Sequence, residues 1–167
     1  GTPYLEVHRL AARVITEGLQ ALGLMKGNTE DAVREGAHAL FFPHGLGHMI
    51  GLDVHDMEDL GEDRVGYTVE MPRSEQFGLR ALRLARPLEP GFALTVEPGI
   101  YFIPELIRQW QAEGRHDAFI DYEKVQEYLD FSGVRIEDNV LITEEGWRLL
   151  GPPIPKTIEE VEAACGS

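Results

Sequence analysis

Residues Pro43 to Asp56 read PHGLGHMIGLDVHD and hold three of the chain's six histidines, His44, His48 and His55. His44 and His48 lie among Gly45, Gly47 and Gly51, where missing side chains let backbone and ligand approach closely. Such a stretch can aim imidazoles into a cleft. A metal site also needs carboxylates, and two lie downstream in unusually apolar surroundings: Glu97 in LTVEPG and Glu137 in VRIEDN. Neither suits burial without a partner. An imidazole combined with carboxylates suits a divalent ion such as Mn²⁺, Co²⁺ or Zn²⁺, and an oxygen-rich set leans toward Mn²⁺. Each glutamate alone also reads as a strand carboxylate facing solvent or paired with an arginine, and Arg135 lies two residues before Glu137 on the same strand face. His8, His38 and His116, each beside an apolar run, read as structural histidines.

Outward from the motif the chain alternates helical and extended segments. Thr2-Pro3 reads as a cap followed by proline in the first turn, and Val7, Leu10, Ala11, Val14, Ile15, Leu19 and Leu22 recur at helical spacing, which predicts an amphipathic helix over 3–22. A second helix is expected after Asn28-Thr29, with Ala32, Val33, Gly36, Ala37 and Leu40 on its buried side, before the chain turns extended at Phe41-Phe42. Residues 57–77 are rich in acids, glycine and turn formers and read as an exposed loop with little regular structure. Phe92 to Phe102 has the content of two strands broken at Pro98-Gly99, residues 104–130 read as a helical insertion, and Gly133 to Thr143 as a strand. Thr157 to Glu160 form a capping box that opens a short last helix. The class is mixed α and β.

Composition removes several function classes. The formal charge of −14 disfavours nucleic acid and anionic membranes, both of which reward a basic face. No apolar run approaches the roughly 20 residues of a membrane span, and the amino terminus carries no secretory pattern. Cys165 is the only cysteine, so no intrachain disulfide forms and a reducing cytoplasm is the simplest home.

HGLGHMIGLDVHD, LTVEPGIYF and GVRIEDNVLIT together resemble three motifs of the metallopeptidases with the pita-bread fold, which include methionine aminopeptidase, aminopeptidase P and prolidase. GLRALRLARPLEPG, the insertion after GIYF and the ending PKTIEEVEA bring the resemblance nearest to the Xaa-Pro dipeptidase (prolidase) branch. The resemblance implies an α+β fold, a curved and mainly antiparallel sheet with helices on one face. It implies that His48, Glu97 and Glu137 are metal ligands, with Glu97 also a general base and Glu137 the bridge between two divalent ions. It further implies that His55 steadies the tetrahedral intermediate and that His44 lines the substrate pocket. Arg135 is then the arginine beside the bridging glutamate, and Arg83 holds the free carboxylate of an Xaa-Pro dipeptide, a role that suits a guanidinium.

The match is incomplete. The family pattern has two further aspartate ligands and a histidine upstream of the first helix, whereas Asp31, in a predicted helix, is the only aspartate before the histidine motif. Residues 1–167 therefore read as the carboxyl-terminal half of a catalytic domain, with a helical insertion at about 104–131. The expected partners are the amino-terminal half, an Xaa-Pro peptide and a second copy in a homodimer, and the chain alone is expected to be inactive. The alternative is a pseudoenzyme or peptide-binding module that keeps the pocket.

Overall fold

A computed structural model describes residues 1–166. The first helix, α1, runs Tyr4–Ala21. Its start differs from the sequence expectation: Pro3, not Thr2, occupies the capping position and gives no side-chain cap bond. The first N–H groups, which have no acceptor within the helix, are satisfied instead by a distant segment, Tyr4 N–H donating to the Arg86 carbonyl at 3.1 Å and Leu5 N–H to that of Ala85 at 3.2 Å. The buried stripe is Tyr4, His8, Ala12, Thr16 and Leu19, while Leu10, Val14 and Leu22 are exposed. Spacing identified the helix but not which face is covered.

The second helix, α2 (Thr29–Glu35), is capped by the Asn28 side chain, which accepts from Asp31 N–H. It stops before Leu40 because Gly36 turns left-handed at φ 83°, the usual glycine exit, and residues 37–40 continue as a 3₁₀ turn. The acidic segment also holds more structure than its composition suggests. Its short helix α3 (Asp63–Gly66) is pinned where the Gly66 carbonyl accepts from Ala85 and Arg86 N–H at 2.8 and 3.0 Å, and Tyr67 is buried.

Strand β1 (Ala93–Val96) pairs antiparallel with β4 (Asp138–Thr143), which pairs with β5 (Gly146–Leu149); a separate ribbon joins β2 (Gly99–Tyr101) to β3 (Gly133–Arg135). The strand expected over 133–143 is thus interrupted at Ile136-Glu137, opposite the break at Glu97-Pro98. Pro98 has no N–H for a ladder, although its carbonyl accepts from Ile136 N–H at 3.2 Å. One register runs through both ladders, Val96 facing Asp138 and Gly99 facing Arg135, so Glu97 and Glu137 oppose each other across the break.

Between β2 and β3 lie α4 (Pro104–Ala112) and α5 (Tyr122–Val125). Ile107, Trp110, Ile120 and Val125 pack with Leu19, Leu24, Leu40, Phe41 and Phe102 in one core. A second core gathers Tyr4, Phe42, Leu46, Leu82, Leu84, Leu94 and Val140. Phe41 and Phe42 therefore root the histidine motif in both. The last helix, α6 (Ile158–Cys165), opens with the expected capping box and lies exposed. Among the described residues, no helix is long and apolar enough to cross a membrane.

Candidate active site

The histidine stretch is laid along β1 as an irregular extra strand. Glu97 N–H donates to the Leu46 carbonyl at 2.7 Å, Thr95 N–H to that of His48 at 3.0 Å, and Ile50 N–H to that of Ala93 at 2.9 Å. This approach depends on glycine. A Cβ on Gly47 would stand 2.0 Å from the Thr95 carbonyl oxygen and 2.6 Å from the Tyr4 hydroxyl oxygen. That hydroxyl donates to the Thr95 carbonyl at 2.7 Å, and burial, then the Glu97 charge, raises its pKa, so it keeps its proton.

His48 and Glu97 meet in the resulting pocket, 6% and 8% exposed. His48 Nδ1 lies 3.0 Å from the Met49 carbonyl, which can only accept, so the ring proton sits on Nδ1 and Nε2 presents a lone pair. That lone pair faces Glu97 Oε1 at 3.3 Å. Two lone-pair donors so placed need a cation between them, a proton or a metal ion. A nitrogen and an oxygen bound at about 2.0–2.2 Å to one tetrahedral ion lie about 3.4 Å apart. Donor type and spacing therefore fit a divalent ion.

The rest of the Glu97 carboxylate is held. Thr95 Oγ1 donates to Oε1 at 2.8 Å and accepts His48 N–H at 3.0 Å; Arg135 Nη1 donates to Oε2 at 2.9 Å, and its Nε donates to the Tyr101 hydroxyl at 2.6 Å. Arg135 thus pairs with Glu97, not with Glu137 beside which the sequence placed it. Glu137 is exposed and makes no ion pair among the described residues. Its backbone faces Glu97 across the break in the ladder. Yet no group of three or more His, Cys, Asp or Glu side chains among the described residues is placed to hold a metal. The structure brings His48 and Glu97 together and leaves the Glu137 carboxylate outside that pair.

His44 stands with its ring edge toward Phe42 and Tyr101, at centroid distances of 4.9 and 5.4 Å. Its Nδ1 donates to the Gly45 carbonyl at 2.7 Å, leaving a buried Nε2 lone pair with no partner among the described residues. Burial is the main cause that lowers its pKa, so the ring is a neutral acceptor. His55 packs its ring 4.3 Å from that of His48 and places Nδ1 2.6 Å from Glu58 Oε2. Glu58, its pKa lowered first by His55 and then by Arg83, begins a charged relay: Arg83 donates to Glu58 and Glu62 at 2.5 Å each, and Arg73 donates to Glu62 at 2.7 Å. Sequence reading found Arg83 but not the acids on it. It also missed Tyr4, Thr95 and Tyr101, whose signal lies in the strand and helix positions they share with residues it did select.

Residues 1–144 match the model of metallopeptidase family M24. The chain is 44% identical over 163 residues to the Xaa-Pro dipeptidase of Rattus norvegicus, covering 98% of this chain and 32% of the relative. For the Homo sapiens enzyme of that name the figures are 42%, 98% and 31%. Among solved structures, zinc-substituted Escherichia coli aminopeptidase P in complex with product superposes with a TM-score of 0.66 at 36% identity, over 98% of this chain and 29% of that one. The chain thus spans about a third of the length of the curated relatives it matches. Its fold is the corresponding part of the pita-bread fold, as the sequence resemblance implied.

Proposed function

This chain belongs to metallopeptidase family M24, and from that premise we propose that it supplies carboxyl-terminal ligands and substrate contacts to a dinuclear exopeptidase that hydrolyses the peptide bond before proline. The observation that carries the reading is the buried His48–Glu97 pair, two lone-pair donors 3.3 Å apart with the Glu137 backbone opposite. His48 and Glu97 would hold a divalent ion, with Glu137 as a further carboxylate ligand of the centre, and a carboxylate-rich set would favour Mn²⁺. When bound, such ions supply Lewis acidity and a water acidified toward neutral pH.

The protein side chains orient and move protons around that centre. Glu97 takes the proton as general base, its Oε2 steadied by Arg135. His55 stabilises the developing oxyanion through Nε2. For Nε2 to donate while Nδ1 is bonded to Glu58 the ring must carry both protons, and Glu58 is its counter-charge. His44 lines the pocket as a neutral acceptor. Arg83 captures the free carboxylate of a dipeptide, which must displace Glu58 or Glu62 to reach it.

His48, Glu97 and Glu137 do not complete two metal shells, so catalysis needs the aspartates of an amino-terminal half, and this polypeptide alone is inactive. The test is proline release from glycyl-proline with Mn²⁺, by the pure chain and by the chain mixed with a separately expressed polypeptide that carries those aspartates. Release only in the mixture, lost on His48→Ala and on Glu137→Ala, is the expected result. Release by the chain alone that those substitutions abolish would overturn the requirement for further ligands.

A further inference from the structure

Two side chains one helical turn apart on α1 reach into the site. Tyr4 holds the Thr95 carbonyl, and His8 meets the histidine stretch itself: its Nδ1 accepts the Leu46 N–H at 3.2 Å. The other face of the same residue is equally committed, because the Leu46 carbonyl accepts Glu97 N–H at 2.7 Å. Residue 46 is thus a two-ended link, clamped by His8 on one side and clamping Glu97 on the other. His8 is 1% exposed and its ring stacks on Phe42 at 5.2 Å, whose ring in turn meets that of His44. With Nδ1 accepting, the His8 proton sits on Nε2, a buried atom with no partner among the described residues. A leucine or phenylalanine would fill the space without that uncompensated polar atom, so packing alone does not account for an imidazole here.

We propose that His8 is a positioning residue, whose Nδ1 fixes the Leu46 backbone and through it the placement of Glu97 beside His48. The role bears on catalysis only through the reading of that pair as metal ligands. The link itself depends on neither metal nor peptide.

The experiment is amide hydrogen exchange by NMR on the 167-residue chain, without metal, for His8→Asn, His8→Gln and His8→Leu. Asparagine places its amide oxygen near the position of Nδ1, glutamine places it near Nε2, and leucine has no acceptor. A buried N–H stripped of its acceptor opens more easily, so the Leu46 and Glu97 amides are expected to exchange about tenfold faster in the leucine and glutamine variants. In the asparagine variant they stay within about threefold of the parent, a difference of less than one net hydrogen bond. Ala12 and Thr16 amides, within α1, report any general loosening and stay unchanged. If the leucine variant fails to fold, the asparagine and glutamine variants make the same comparison. Equal exchange in all variants, equal acceleration in asparagine and leucine, or failure of the asparagine variant to fold would overturn the proposal. None of those outcomes touches the peptidase reading, which proline release tests separately.

Discussion

Acidification should unfold this protein through two buried imidazoles, and the size of the effect follows from their surroundings. His8 is held at a pKa of about 3, by burial first and then by the neighbouring His38, His44 and Arg9. His38, 3% exposed, is held at about 4, burial outweighing the raising effect of the nearby Ala32 backbone, with His116 adding to the lowering. In the unfolded chain both titrate near 6.5. Between these values the unfolded state binds protons that the native state excludes, so stability is full above pH 6.5 and falls as pH drops toward 4 and 3. At pH 5 each group removes about 2 kcal/mol and the two together about 4 kcal/mol. That is a large share of the roughly 5–15 kcal/mol of a typical domain, and it corresponds to a drop in Tm of about 8–16 °C for a chain of this size.

The assay is urea unfolding at pH 7.5 and pH 5.0 for the parent and for a His8→Asn/His38→Asn double variant. Surface carboxylates titrate in both proteins, so the comparison isolates the imidazoles. The double variant is less stable at pH 7.5, but its loss on going to pH 5.0 is smaller than the parent's by about 4 kcal/mol. If the two proteins lose the same stability within about 1 kcal/mol, His8 and His38 are not buried neutral groups and the reasoning fails.

Gly47→Ala drives a methyl group against the Thr95 carbonyl, where a Cβ would stand at 2.0 Å. It should cost about 3 kcal/mol or more, and an unchanged Tm would show that the stretch does not lie on β1. Thr95→Val strips Glu97 of a donor and leaves the His48 N–H without its acceptor. The expected loss is about 1–3 kcal/mol by urea unfolding, and parent-like stability would contradict the hydroxyl's double role. Thr157→Ala removes the capping box of an exposed helix. Exchange of the Glu160 and Val161 amides should quicken by about 1 kcal/mol equivalent while global Tm holds, and a fall in Tm would mean that α6 is coupled to the core.

What the sequence made legible is what short-range pattern determines. Helical spacing, the Pro98 break and the Thr157 capping box each act within a few residues, and they located α1, the start of α2, β1 to β4 and α6, but neither the exit from α2 at Gly36 nor β5. What stayed hidden depends on partners far along the chain. Leu10 and Val14 read as core residues, yet the covered face of α1 carries Tyr4 and His8, whose polar atoms bond to residues 95 and 46. The opposition of Glu97 and Glu137 needs the register between strands about forty residues apart, which composition does not encode. Arg83 was found by its place in a motif, whereas the acids that bind it come from a segment read as featureless loop.

The arrangement around Glu97 explains why so many unremarkable residues belong to the site. A carboxylate offers about four lone-pair directions, and a free glutamate would spread them over many rotamers. Here Arg135 takes one direction on Oε2, Thr95 takes one on Oε1, and the backbone is pinned through Leu46, so an Oε1 lone pair is left facing His48. Each holder is held in turn: Arg135 by Tyr101, the Thr95 strand by Tyr4, and Leu46 by His8. The two side chains that face each other, His48 and Glu97, are therefore a small part of the candidate site. Most of its residues keep one acceptor of one carboxylate pointed at one imidazole, and that constraint sets the His48–Glu97 pair apart from two polar side chains that merely share a cleft.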